Sequence, residues 1–269
     1  MKKRSIVYLF LFAIIGMVLY AFFIEPKRIV THHYTVGTND GQKPVKIVQL
    51  SDIHIQENYS TTQLEKIVTK VNNEQPDMIL FTGDLFDNYA KYGPAEEVIA
   101  AFDRLSAPLG KYAVWGNHDY GGGAAHAYPE ILAASGFQLL ENSGVNVPLS
   151  NGKSVYIGGL DDSMLGNSLI EETLAGRQSD YTILMSHEPD KADDVLDHDI
   201  QLILAGHSHG GQVKLPFFTI KNALAEKYYD GFYSLANETT LYVNTGLGTT
   251  KIPARFRVPP EIAVFDLYV

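Results

Sequence analysis

Five short motifs in this chain bring together side chains that bind metals or carry protons. They are Asp52-Ile53-His54, Gly83-Asp84-Leu85-Phe86-Asp87, Gly116-Asn117-His118-Asp119, His187, and Gly206-His207-Ser208-His209. Each follows a short apolar run: Val45–Leu50, Met78–Thr82, Tyr112–Trp115, Tyr181–Met185 and Gln201–Ala205. Residues two apart at a strand end share a face, so Asp52 pairs with His54 and His207 with His209. Gly83, Gly116 and Gly206 each precede a polar residue, where a tight turn brings ligands close. Imidazole and carboxylate without thiolate suit Mn²⁺, Fe or Zn²⁺. The candidate ligands are too many for one tetrahedral ion and suit two ions sharing a carboxylate. Any one of these residues alone would more often be a cap, a turn or a satisfied core group. Five strand ends of one chemical kind are not explained that way.

The elements that must position them read as an α/β body. Further strand-like runs lie at Val155–Gly158, Leu241–Asn244 and Ile262–Tyr268. Thr61–Asn73 sets Leu64, Ile67, Val68 and Val71 at helical spacing, with Thr61 or Thr62 as the cap. A second helix is expected from Pro94 through Arg104, with Glu96 and Glu97 suiting its dipole. A third is expected over Ala125–Ser135, ended by Gly136. Helices alternate with strands in the first half, and strands dominate the second. In open α/β sheets the ligand site lies at the carboxyl ends of the strands, so the five motifs can converge on one crevice.

The chain has 269 residues, no cysteine and a net charge of −10. Absence of cysteine excludes disulfide scaffolds, thiolate metal sites and cysteine nucleophiles. The first 28 residues hold five cations against one acid, so the remainder is more acidic than the whole. Such a body has no bulk attraction for nucleic acid, and no nucleic-acid partner is expected.

Ile6 to Ile24 carries no charge. A helix of that length spans about 28 Å, the thickness of a bilayer core. The run is long for a signal peptide and lacks a pair of small residues at its end, which points to an uncleaved anchor rather than a cleaved leader or a buried helix. Lys2, Lys3 and Arg4 precede it, and Lys27 and Arg28 follow it. The positive-inside rule then favours a single-pass protein of the cell membrane, with its body extracytoplasmic. Lys3-Arg4 is not a twin arginine. Residues 1–28 are thus expected to form the anchor and 29–269 one catalytic domain. Residues 25–44 look like a connector with a turn at Gly37–Gly41, where His32 and His33 are read as surface or strand residues.

With these motifs the chain resembles the calcineurin-like metallophosphoesterases, whose order they follow over residues 45–210. The resemblance implies a four-layer α/β/β/α sandwich of two mixed β-sheets flanked by helices, here preceded by a transmembrane helix. It also implies roles. Asp52, His54 and His209 would bind one metal, Asn117, His187 and His207 a second, and Asp84 would bridge them. His118 would face the scissile phosphate as general acid or transition-state stabiliser, oriented by Asp87, with Asp119 as support. Two such divalent ions would clamp a phosphate and activate a bridging water for in-line attack on phosphorus. Asp87 stands where the purple acid phosphatase branch has a metal-binding tyrosine, which disfavours that branch.

The stretches His207–Val213, Pro216-Phe217-Phe218, Asn244–Gly248 and Arg255–Ile262 resemble membrane-associated members of the family. These include hydrolases of UDP-2,3-diacylglucosamine and cell-wall-associated phosphoesterases. The substrate implied is a phosphomonoester or a pyrophosphate, either a phosphorylated small molecule or a lipid-linked one. A hydrolase like that for UDP-2,3-diacylglucosamine is the alternative, and a non-catalytic binding module or a nuclease a weaker one. Phe217, Phe218, Tyr228, Tyr229, Phe232 and Tyr233 lie in a stretch, residues 211–235, that reads either as a lid or as packing on a sheet edge. Arg255 and Arg257 read either as contacts to a second phosphate or as surface salt bridges. Gly121-Gly122-Gly123 reads as a backbone passage beside the site or a flexible loop.

Overall fold

The computed structural model describes residues 2–39, 41–56, 59, 61–92 and 95–269. Asp40 of the expected turn and Pro94 of the second helix lie outside the described residues, as does residue 60 before the helix Thr61–Glu74. Because that helix begins at Thr61, neither Thr61 nor Thr62 stands at the cap position.

The strands of the first half are β1 (Val30–Val36), β2 (Val45–Leu50), β3 (Met78–Phe81), β4 (Lys111–Ala113), β5 (Gln138–Leu139), β6 (Ser143–Pro148) and β7 (Ser154–Gly159). Those of the second are β8 (Tyr181–Met185), β9 (Leu202–Ala205), β10 (Lys214–Leu215), β11 (Phe218–Thr219), β12 (Gly231–Ser234), β13 (Thr240–Val243) and β14 (Glu261–Leu267). They build two six-stranded mixed sheets, ordered β1-β14-β2-β3-β4-β5 and β12-β13-β9-β8-β7-β6, while β10 and β11 form a separate hairpin.

Alternation along the strands makes the layers. Ile47, Met78 and Leu80 of the first sheet meet Ile183, Met185, Leu202 and Leu204 of the second in a shared core. Val48, Leu50, Ile79 and Phe81 point the other way, onto Leu64, Ile67, Val68 and Val71 of the helix Thr61–Glu74 and onto Val98 and Phe102 of the helix Glu96–Asp103. Leu184, Ile203 and Ala205 pack outward against Leu174, Ala192 and Val195. Both faces of the central strands are therefore buried, which is why they read as continuous apolar runs rather than alternating ones. This is the expected four-layer sandwich, preceded by an apolar N-terminal helix.

One element differs from expectation. The stretch taken for a connector contains β1, which pairs with β14 in parallel from Val30 opposite Glu261 to Val36 opposite Leu267. Its weak apolar pattern reflects its position at a sheet edge. The helix Lys2–Leu19 continues through a wide turn, Tyr20–Ile24, and a tight turn, Glu25–Lys27. The stretch Ser5–Lys27 is long and apolar enough to cross a membrane.

Because β14 runs antiparallel to β2 and β1 parallel to β14, the chain enters the body where β2 ends. The junction is fastened there. Arg255 donates its backbone N–H to the carbonyl of Ala21 at 2.9 Å. Val258 donates its N–H to the buried carboxylate of Glu25 at 2.7 Å.

Candidate metal centre

The turns after β2, β3 and β9 carry Asp52, His54, Asp84, His207 and His209 with left-handed backbone, φ between 48° and 67°. Non-glycine residues seldom adopt this region, and such strain gathers at functional sites. Neighbouring glycines let the turns meet. A β-carbon at Gly116 would stand 2.3 Å from Oδ1 of Asp84, and one at Gly206 1.9 Å from Oγ of Ser51.

Among the described residues three overlapping groups of donors result: Asp52, His54 and His209; Asp84, His187 and His207; and His54, Asp84 and His118. In the first, Nε2 of His54 lies 3.0 Å from Nε2 of His209. Oδ1 of Asp52 is 3.7 Å from the former and 3.5 Å from the latter. In the second, Nε2 of His187 lies 3.2 Å from Nδ1 of His207 and 3.2 Å from Oδ2 of Asp84. That same Asp84 oxygen is 3.4 Å from Nε2 of His54, so it stands between the groups. Donors at about 2.0–2.1 Å from one tetrahedral or octahedral ion lie roughly 3.0–3.4 Å from each other, close to these spacings. Oδ1 of Asn117 is buried without a hydrogen-bond partner, and Asn117 lines the same cavity as Asp84, His207 and His209.

The tautomers sharpen the chemistry. Nδ1 of His187 faces the carbonyl of Thr82 at 2.7 Å, and Nε2 of His207 faces the carbonyl of Ala223 at 2.8 Å. A carbonyl only accepts, so each of those nitrogens carries a proton. The opposite nitrogens then face each other and the Asp84 carboxylate. Burial works to lower the His187 pKa, but Asp84 raises it well above the ordinary imidazole value, so in the metal-free site a proton on Nε2 holds the place that a metal cation would take. The donor set therefore fits divalent metal ions.

The electrostatics agree. Burial opposes ionisation of Asp52 and Asp84, yet the surrounding imidazoles, His209 and His54 for Asp52 and His187 for Asp84, hold both below the ordinary carboxylate range. Burial works to lower the His54 pKa, but Asp52 and Asp87 raise it to about 9. Asp119 accepts N–H groups from Asp84 at 2.9 Å, Leu85 at 3.0 Å and Gly116 at 3.1 Å. Burial and the Asp84 carboxylate push its pKa up to about 8 against these amides.

His118 lies in the short helical turn Asn117–Asp119 beside the first two groups, its ring edge-on to that of His54 at 4.7 Å. Its Nδ1 lies 2.9 Å from the Asp87 carbonyl and 3.6 Å from the Asp87 carboxylate. Asp87 thus meets His118 first through its backbone. Its carboxylate lies closer, 3.3 Å, to Nδ1 of His54 and accepts from Thr250 Oγ1 at 3.2 Å.

Some orienting groups left no trace in the sequence. The carbonyls of Thr82 and Ala223 act through backbone that any residue would supply. Ser51 donates its hydroxyl to Asp52 at 2.5 Å, and Asn222 donates to the His207 carbonyl at 2.9 Å. Lys221 and Lys251 line the cavity of about 270 Å³ over Asp84, Asn117 and His118.

Arg255 reads differently in three dimensions. It is fully buried and donates to the carbonyls of Thr245, Gly246, Gly248 and Val258, so it cannot reach a phosphate. Arg257 is exposed. Residues 211–235 are not one free lid. Tyr228 is buried and bonds Asp193, and Phe232 packs on Tyr34 and Tyr242. Phe217 and Phe218 stand exposed on the β10–β11 hairpin. Gly121 and Gly122 line an opening beside His118.

Residues 45–211 match the model of the calcineurin-like phosphoesterases. The chain is 40% identical over 255 residues to a Bacillus subtilis protein named as an uncharacterized metallophosphoesterase, YkuE, with 92% of this chain and 88% of that protein covered. It is 32% identical to a zebrafish (Danio rerio) transmembrane protein with metallophosphoesterase domain, covering 81% of this chain and 52% of that one. In fold it is similar to a dimetal phosphatase from Danio rerio, with a TM-score of 0.51 at 15% identity over 84% of this chain and 93% of that one.

Proposed function

The chain belongs to the calcineurin-like phosphoesterase family and is a metal-dependent phosphoesterase; from that premise we propose that it is anchored in a membrane by residues 1–28 and hydrolyses a phosphomonoester or a pyrophosphate, lipid-linked or envelope-derived, with a catalytic domain of residues 29–269. The observation that carries the reading is the convergence of Nε2 of His187, Nδ1 of His207 and Oδ2 of Asp84, with the outer ring nitrogens held on backbone carbonyls. Asp52, His54 and His209 are assigned to one ion, Asn117, His187 and His207 to the other, and Asp84 to both. Divalent cations bound there supply charge that clamps a phosphoryl group and lowers the pKa of water.

The protein's own groups do the rest. With Nδ1 of His118 donating to the Asp87 carbonyl, its Nε2 is the atom that meets substrate. From there it donates a proton to the leaving oxygen as general acid. Lys221 and Lys251 add positive charge at the cavity wall, where a phosphate or a second phosphate of a pyrophosphate sits. Lys2, Lys3 and Arg4 before the anchor, against Lys27 and Arg28 after it, support an extracytoplasmic body.

Asp84→Ala, assayed as full-length protein in detergent with an aryl phosphate and Mn²⁺, tests the assignment. We expect metal content to drop and turnover to fall about a thousandfold, as several kcal/mol of charge stabilisation are lost. Unchanged turnover would refute it. Which substrate is preferred is read from a panel of lipid pyrophosphates, UDP-diacylglucosamine, cell-wall phosphates and cyclic nucleotides.

A further inference from the structure

The β10–β11 hairpin presents Leu215, Phe217 and Phe218 to solvent, and Phe217 is fully exposed. Three adjacent large apolar side chains at a hairpin tip are unusual on a water-facing surface. They are not isolated. Ile220 and Ile252, also exposed, border one crevice between the hairpin and residues 250–252. Pro253 borders a second cavity, of about 310 Å³, together with Phe22 and Pro26 at the end of the N-terminal helix. The strip is tied to that helix through the backbone. Val213 bridges to Phe256, and Arg255 bonds Ala21. The hairpin and the helix end therefore border one surface.

Cations stand along it: Lys27 and Arg28 at the helix exit, Lys221 after the hairpin and Lys251 between them, all exposed. Lys214 is paired with Asp230. On a chain of net charge −10 this is a local reversal of sign. Apolar residues flanked by exposed cations suit the interface of a bilayer containing anionic lipids.

We propose that the β10–β11 hairpin is a second membrane contact, inserting Leu215, Phe217 and Phe218 into the leaflet from which the N-terminal helix emerges. The proposal rests on the membrane-anchor reading above. It goes beyond that reading because a single helix can tilt in the bilayer together with the body fastened to it, whereas two contacts set that tilt. Lys221 and Lys251, which line the cavity over Asp84 and His118, then lie at headgroup level. The metal centre opens toward phosphates at the bilayer surface rather than toward bulk water. A phosphorylated amphiphile reaches it without leaving the membrane.

The chain has no cysteine, so one introduced cysteine is a unique label site. Full-length Phe217→Cys, Phe12→Cys and Asn151→Cys would each carry a nitroxide in vesicles of equal parts phosphatidylcholine and phosphatidylglycerol. Phe12 lies within the apolar helix, and Asn151 lies in the turn before β7, at the sheet end away from the ligand turns. Collision with oxygen and with a water-soluble nickel chelate reads depth. We expect residue 217 to lie about 5–10 Å below the headgroups, residue 12 deeper and residue 151 in water. If residue 12 is shielded and residue 217 is as open to nickel as residue 151, the hairpin proposal falls and the anchor stands. If residue 12 is open as well, both fall. Dipolar broadening at residue 217 that unlabelled chain dilutes away would assign the hairpin to a second copy, and overturn the proposal.

Discussion

His187 holds its Nε2 3.2 Å from Oδ2 of Asp84, and the two residues come from different sheets. Asp84 follows β3 and His187 follows β8, so the pair bridges the sandwich where the parallel strands of both sheets end. Its partner Thr82 lies on the Asp84 side, so the imidazole spans the gap between the sheets. Loss of the pair would disturb the packing of the two layers as well as the metal centre.

His118 is expected to affect rate without affecting metal content. His118→Ala removes the proton donor at Nε2, and with it the group of His54, Asp84 and His118, but leaves the groups Asp52, His54, His209 and Asp84, His187, His207 complete. The rate constant for an aryl phosphate should fall about 10²- to 10⁴-fold, with both ions retained by elemental analysis. A drop in metal content would make His118 a ligand.

Asp119 is expected to act through the turn that carries Asp84. Asp119→Ala leaves three buried N–H groups, of Asp84, Leu85 and Gly116, without an acceptor. That costs about 3 kcal/mol or more, roughly 6–12 °C in Tm for a domain of this size. Asp119→Asn keeps one acceptor and should recover part of the loss. A melting curve superimposable on the parent would remove this role.

Metal uptake is expected to release protons. His54 in the metal-free site has its pKa raised to about 9, through Asp52 and Asp87 and against burial. It is therefore protonated at neutral pH, and an ion must displace that proton. Affinity then rises with pH between 6 and about 9, by up to about tenfold per unit, and levels off above. Calorimetry in buffers of different ionisation enthalpy measures the proton count. Affinity flat across that range would show that His54 does not bind the metal.

Glu25 is expected to hold the helix to the body. Its carboxylate is buried on the Val258 N–H, and Glu25→Ala strands that donor. The cost is about 1–3 kcal/mol, about 2–12 °C in Tm, measured on the full chain in detergent. The same contact bears on processing, since cleavage after the helix would expose the Val258 N–H. A variant as stable as the parent would show that the junction contributes nothing to the body.

Much of the candidate centre was legible along the chain because few residue types can bind metal. Asp52, His54, Asp84, Asn117, His187, His207 and His209 are recognisable by kind and by place, each after an apolar run. The central strands β2, β3, β8 and β9 were equally legible, since burial on both faces leaves a continuous apolar signature. The edge strand β1 was not, because half of its side chains face solvent. Nor was the burial of Arg255, whose side chain reads as a surface cation until its acceptor carbonyls are seen.

What one dimension determines about this protein is which side chains can hold ions and which segments can be buried. What the tertiary structure alone decided is how they meet. Ring tautomers depend on carbonyls of Thr82 and Ala223, which carry no side-chain signal. The left-handed turns at the donors depend on contacts across the sheets. The attachment of the N-terminal helix beside the candidate metal centre depends on β1 pairing with β14, which spans almost the whole length of the chain.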